Sequence, residues 1–207
     1  MSDSASTAPQ SPARPPGLRE RMRATVREEV VAVALRLFST QGFDRTTVDQ
    51  IAAEVGLSRA SLFRYFRTKE DMVLVGLEDS GRHIAEALAA RPDEERPWVA
   101  LRRAFDALLR QHEESLEQTL SYVRMLQETP SLRARQHEKH LQWQELLVPE
   151  VARRLATRPD LPEDPRPSAL VAAAIACLEA ATTGWVACDG AVPIDVLLDR
   201  AMGALAE

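Results

Sequence analysis

The nine residues Ser58–Phe66, SRASLFRYF, hold two arginines, two serines and three aromatic rings. An arginine fork can grip the edge of a guanine bidentately, and an alanine or a ring can meet a thymine methyl. Serine and tyrosine hydroxyls suit phosphate oxygens. Phe63 and Phe66, three apart, can share one helix face, but Tyr65 points well away from Phe63. With Leu62 also apolar, rings and charges surround this stretch, so it must touch something beyond its own core.

Other chemistry finds less support. There is no glycine-rich phosphate loop, nucleophile elbow or paired metal-ligand motif, and Ser58 is accounted for as a helix cap. No catalytic residue is expected. His137 and His140, three apart beside Glu138, have a spacing that can hold a metal, but such pairs are ordinarily solvated helix surface. Neither metal nor cofactor is expected. Cys177 and Cys188 are eleven residues apart, about 16 Å along one helix, too far to bond to each other.

The elements that position SRASLFRYF follow from apolar spacing and punctuation. From Arg21, apolar residues Val26, Val30, Val33, Ala34, Leu37 and Phe38 recur at helical intervals until Gly42. Thr47 and Gln50 have capping-box spacing ahead of a helix that stops at Gly56. Ser58 caps the next helix, and Thr68 with Asp71 opens a fourth. Two short helices joined by a tight glycine-containing turn make a helix-turn-helix, whose second helix enters a DNA major groove. Ile51, Ala52, Val55, Leu57, Leu62 and Phe66 supply its core, leaving Arg59, Ala60, Ser61, Phe63 and Arg64 facing outward. Thr47, Ser58 and Lys69 stand at helix N-termini, where free N–H groups favour phosphate. Arg59 and Arg64 also fit solvated charges, and Tyr65 a partly buried ring.

Charge agrees with this division. Residues 1–75 carry eleven Arg/Lys against nine Asp/Glu, net +2, whereas the remainder carries fifteen against twenty-two, net −7. Only the first part tolerates an anionic partner. Lys69 is one of two lysines beside twenty-four arginines. The first residues, MSDSASTAPQSPARPPG, lack the apolar core of a signal peptide, and the most apolar run is alanine-rich and contains Glu179. A cytoplasmic protein without a membrane span is expected, and two cysteines fit a reducing compartment.

From Arg36 to Met72 the chain resembles the DNA-binding domain of the TetR family of bacterial regulators. The resemblance rests on Phe38, Gly42-Phe43, Thr46-Thr47, Ile51-Ala52, Val55-Gly56, Ser58, Leu62, Tyr65-Phe66 and Lys69. It implies a recognition helix at residues 58–65, phosphate contacts from Thr47, Tyr65 and Lys69, and base-side contacts from Arg59, Ala60, Ser61, Phe63 and Arg64. Phe63 stands where many members carry tyrosine, so only apolar contact is expected of it.

Beyond residue 90 every segment keeps a helical period, so the chain is expected to be all-α. Its organisation reads as a disordered arm (1–20), a three-helix helix-turn-helix domain (21–67) and a larger helical domain (68–207). Single helices are expected from Trp98 to His112 and from Ser131 to Ala156, and two more close the chain. Ala169, Ala173, Ala176, Ala180 and Gly184 form a small-residue stripe permitting close approach, either within one subunit or between two in a four-helix dimer interface. The segment from Trp98 to Trp185 resembles the C-terminal domain of the mycofactocin-system regulators, which implies an acyl-CoA-like effector. Phe105, Leu109, Tyr122, Met125, Leu126, Trp143, Cys177 and Trp185 fit an apolar cavity or simple core. Arg102, Arg133 and Arg135 are candidates for a cationic mouth. The function expected is a homodimeric DNA-binding repressor, released from a palindromic operator by a small apolar or acyl-CoA-like ligand. A DNA-binding regulator with no small-molecule effector is the alternative.

Overall fold

The computed structural model describes residues 17–109, 116–155 and 164–206, the Glu78 side chain excepted. Among these residues there are ten helices and no strand. The expected N-terminal arm up to residue 16, the end of the helix expected to reach Ala156, and most of the proline-rich loop after it lie outside the described residues.

Helix α1 (Leu18–Gln41) begins three residues earlier than the apolar pattern suggests. It buries Val30, Ala34, Leu37 and Phe38 and ends where Gly42, at φ +89°, turns its N–H back onto the Phe38 carbonyl. That positive φ favours glycine. Phe43 then folds onto Phe38, with ring centroids 5.0 Å apart, and the buried Thr46 hydroxyl donates to the Gly42 carbonyl. Helix α2 (Val48–Glu54) starts with the Thr47/Gln50 capping box and gives way to Gly56 at φ +67°. Helix α3 (Arg59–Leu62) is capped by Ser58 and continues in tight turns to Phe66 rather than as regular helix to Tyr65. Ile51, Ala52, Leu62 and Phe66 close this small core.

Helix α4 (Lys69–Ala89), opened by the Thr68/Asp71 capping box, runs from the small N-terminal core into the centre of the larger part. Beyond it lie α5 (Pro97–Ala104), α6 (Asp106–Leu109), α7 (Leu116–Glu128), α8 (Pro130–Arg154), α9 (Arg166–Ala187) and α10 (Ile194–Gly203). The single helix expected from Trp98 is interrupted at Phe105, which is fully buried at the joint between α5 and α6. The most extensive packing is α4 against α8, then α9 against α10 and α8.

The α4/α8 crossing depends on one glycine. A Cβ on Gly81 would stand 2.3 Å from Cδ1 of Trp143, so only a bare Cα lets this indole lie across α4. There its Nε1–H donates to the Leu77 carbonyl at 3.2 Å. Helix α9 is long and apolar enough to cross a membrane by length and composition alone. Its apolar residues divide between a buried face (Val171, Ala174, Ile175, Leu178, Trp185) and an exposed alanine face.

Candidate nucleic-acid interface and ligand cavity

The expected base-side residues share the outer surface of α3. Arg59, Ala60, Phe63 and Arg64 are exposed and Ser61 is half-buried. Ser58 caps the helix by accepting from the Ser61 N–H, and its hydroxyl donates to the Ser61 hydroxyl at 3.0 Å. Arg64 donates to that same Ser61 oxygen, so the three side chains form one hydrogen-bonded row. Arg59 reaches Asp49 of α2 at 3.0 Å, with both side chains well exposed, and its guanidinium lies 5.6 Å from the Phe63 ring. An ion pair this exposed is worth at most about 1 kcal/mol, so a guanine can compete for the fork. Phe63 is 40% exposed, so its ring is open to an apolar contact such as a thymine methyl.

The expected phosphate-side residues differ in how far the protein uses them. Thr47 holds its capping box and stays exposed. Tyr65 is half-buried against the small core. Lys69 is more committed: its ammonium donates to the Phe43 and Thr46 carbonyls and sits 4.1 Å from the Phe43 ring. Three donors leave one for any phosphate, and the lysine at the start of α4 thereby ties this helix to the loop before α2.

Two positioning residues have no signature in SRASLFRYF itself. Arg27 of α1 donates to the Tyr65 carbonyl at 2.8 Å and stacks 4.6 Å from Phe66, and Arg23 donates to the Arg64 carbonyl. Cations at the carboxyl end of a helix satisfy its free carbonyls. These two hold α3 against α1. The cluster of arginines early in α1 was the available sequence signal.

In the larger part, α4, α6, α7, α8, α9 and the start of α10 enclose a cavity of about 320 Å³. Leu109, Tyr122, Leu126, Trp143 and Trp185 line it, as expected from their types. Leu77, Leu108, Leu116, Thr119, Val123, Gln136, His140, Leu178, Glu179, Thr182 and Ile194 complete the described wall. Four expected residues are not part of that wall. Phe105 is sealed at the α5/α6 joint with no exposed surface. Met125 packs against core from a neighbouring face of α7. Cys177 turns toward α10, its thiol near the Ala201 carbonyl, and burial pushes that thiol's pKa up. Arg133 is exposed on α8.

The arginines expected at a cationic mouth are not among the described wall residues either. Arg102 is held by Asp106, Asp199 and the Asp195 carbonyl, and Arg135 by Asp71 and Glu138. No arginine or lysine occurs among the described wall residues. The polar groups among the described wall residues are Thr119, Thr182, Gln136, the Tyr122 hydroxyl, the Trp143 and Trp185 N–H groups and a His140–Glu179 pair. The Tyr122 hydroxyl donates to the Val73 carbonyl at 2.9 Å, and burial drives its pKa up.

Three ties therefore join the cavity's surroundings to α4: Tyr122 to Val73, Trp143 to Leu77, and Arg135 to Asp71 at 2.7 Å. Asp71 itself accepts the Thr68 N–H at the start of α4, next to Lys69 and its hold on the α1–α2 loop. The cavity wall and the α1–α2 loop are thus both tied to α4.

On α9, Ala169, Ala176 and Ala180 are exposed and Ala173 and Gly184 half-buried. The stripe is thus not consumed within the subunit. His137 is exposed and His140 buried, so the two do not face a common site, and no group of three metal-ligating side chains occurs among the described residues.

Comparison with known proteins fits both halves. Residues 30–75 match the bacterial regulatory proteins of the tetR family, and residues 95–207 match the MftR C-terminal domain. The chain is 34% identical over 165 residues to the HTH-type transcriptional regulator TcmR of Streptomyces glaucescens, spanning 76% of this chain and 71% of that one. It is 31% identical over 138 residues to MftR of Mycobacterium tuberculosis, spanning 65% and 68%. The fold resembles that of Thermus thermophilus FadR, described as a repressor in complex with lauroyl-CoA, at a TM-score of 0.59 and 23% identity over 87% of this chain and 93% of that one. With an N-terminal helix-turn-helix and a C-terminal half of the MftR type, the chain belongs to the tetR family of bacterial transcriptional regulators.

Proposed function

We propose that this protein is a cytoplasmic, homodimeric repressor that a small, mainly apolar ligand releases from a palindromic operator. The observation that carries the switching part is the set of ties from the cavity wall to α4: Tyr122 to Val73, Trp143 to Leu77, and, from the same helix as Trp143, Arg135 to Asp71. A ligand between Tyr122 and Trp143 displaces two side chains whose polar atoms grip the α4 backbone. Helix α4 moves with them and carries Lys69, hence the α1–α2 loop and α3. A ligand that favours the moved state lowers operator affinity, and operator lowers ligand affinity by the same factor.

Dimerisation uses the exposed alanine face of α9 together with α10, where Val196 is also exposed. Small residues let two copies of α9 approach closely, and a two-fold axis makes the contact self-complementary. Each subunit then presents one α3 to DNA, with half-sites about one helical turn apart, roughly 34–36 Å.

A lauroyl-CoA complex of the FadR fold supports a second ligand class, acyl-CoA. The absence of a cation among the described wall residues weighs against it here, because a phosphorylated headgroup needs arginine or lysine at the mouth. Titrating neutral aromatic compounds, free fatty acids and acyl-CoAs against the protein–operator complex tests the proposal. Release by some member with reciprocal coupling of about 1–3 kcal/mol supports it. Release by none favours a regulator without a small-molecule effector.

A further inference from the structure

We propose that His140, held by Glu179, recognises a hydroxyl on an uncharged aromatic ligand, so that the effector belongs to the flat phenols. This rests on the effector-cavity reading above and names the ligand class.

His140 lies midway along α8, 4% exposed, and forms part of the cavity wall. Its Nδ1 is 2.6 Å from Oε1 of Glu179, thirty-nine residues away on α9. A carboxylate only accepts, so the proton of this hydrogen bond sits on Nδ1. Burial pushes the imidazole's pKa below its ordinary value; Glu179 works against that shift without reversing it, and His137 adds to it. The ring is therefore neutral at pH 7, and Nε2 carries a lone pair. No hydrogen bond to Nε2 occurs among the described residues, and none of their buried side-chain nitrogens or oxygens lacks a partner. Nε2 is thus not sealed in protein, and the space His140 borders is the cavity.

Set among Thr119, Thr182 and Gln136 on a mainly apolar wall, an acceptor at Nε2 selects a donor. The rest of the wall decides what kind. Trp143 and Tyr122 have already given their N–H and O–H to α4 carbonyls, so they offer the cavity ring carbon, and Trp185 adds a third ring. Stacked or edge-on rings suit a flat aromatic body. The Glu179 carboxylate, with no cation among the described wall residues, repels a carboxylate or phosphate. What remains is a neutral ring bearing an acidic O–H, and a phenol is the strongest common donor of that description. Glu179 is a positioning residue: it fixes the tautomer that leaves Nε2 as acceptor.

Binding of 2-naphthol, naphthalene and 2-naphthoate to the full-length protein, followed by tryptophan fluorescence and calorimetry at pH 7.5, tests this. The wild type should prefer 2-naphthol over either other probe by about ten-fold, the worth of one well-made buried hydrogen bond. In His140→Phe, checked for folding by thermal melt, the ratio of 2-naphthol to naphthalene affinity should fall to about one. Glu179→Gln keeps a neutral acceptor for Nδ1–H, so the preference over naphthalene should survive while discrimination against 2-naphthoate weakens. Should His140→Phe fail to fold, that second variant still decides: unchanged discrimination against 2-naphthoate overturns the proposal. So does a His140→Phe protein that keeps the hydroxyl preference, or a wild type that binds all three alike, binds 2-naphthoate best, or binds none. Failure here leaves the effector-cavity reading to be judged separately, by whether any other ligand class releases operator.

Discussion

Substituting alanine at Gly81 and at Gly76 sets two effects against each other on one helix. Both glycines lie inside α4, where replacing glycine by alanine ordinarily stabilises by about 0.8–1 kcal/mol. At Gly76 a new Cβ meets nothing within 4 Å, so Gly76→Ala should gain most of that amount. At Gly81 the new Cβ lies 2.3 Å from Cδ1, 2.6 Å from Nε1 and 3.1 Å from Cγ of Trp143. Those atoms belong to a rigid indole that is 2% exposed, so the ring must shift by about an ångström rather than rotate away. Overpacking of this kind costs about 1–3 kcal/mol, and losing the Trp143-to-Leu77 hydrogen bond adds about 1 kcal/mol. Against the helical gain, Gly81→Ala should therefore be destabilised by about 1–3 kcal/mol. Urea unfolding at fixed protein concentration compares the two variants, and a ligand that quenches tryptophan fluorescence shows whether the cavity changes with the ring. Equal stability for Gly76→Ala and Gly81→Ala would refute the argument that Gly81 exists to admit Trp143.

Arg59→Ala should weaken binding to the best operator by about 1–3 kcal/mol and relax preference at one base pair per half-site, without lowering the melting temperature, since its pair with Asp49 is solvent-exposed. Equal weakening on random DNA would show that Arg59 reads no base. Ala180→Arg, on the exposed face of α9, should yield monomers by light scattering and reduce operator affinity with them; a dimeric variant would place the interface elsewhere. The depressed pKa of His140 gives a pH signature. Below the ordinary histidine range the unfolded chain binds a proton that the folded chain refuses, so stability should fall as pH drops below about 6.5. Melting temperatures between pH 7.5 and 5.5 should fall less in His140→Phe than in wild type.

Much of the DNA-facing part was legible because its signals are local. Thr47 with Gln50, Ser58, Thr68 with Asp71, Gly42 and Gly56 each act within four residues, and each stands where its type requires. Lys69 and Arg27 were harder, since their acceptors, the carbonyls of Phe43 and Tyr65, lie 26 and 38 residues away. The cavity was legible only in part. Tyr122, Trp143 and Trp185 announce themselves by size, but apolar type does not separate a cavity wall from solid core, which is why Phe105 and Met125 were grouped with them. The arginines expected at a mouth are neutralised by partners remote in sequence, Asp199 for Arg102 and Asp71 for Arg135. His140 was visible beside His137, but its partner Glu179 belongs to another helix, so the pair exists only once α8 and α9 meet.

The central claim is that α3, displayed twice by a two-fold dimer, reads DNA. Selection of bound sequences from a random double-stranded library, using the full-length protein without ligand, tests it most directly. The account predicts enrichment of a palindrome whose half-sites are centred about one turn apart, roughly 34–36 Å, with the preference at one position per half-site relaxed in Arg59→Ala. Recovery of unrelated sequences, or of single half-sites without symmetry, would contradict it.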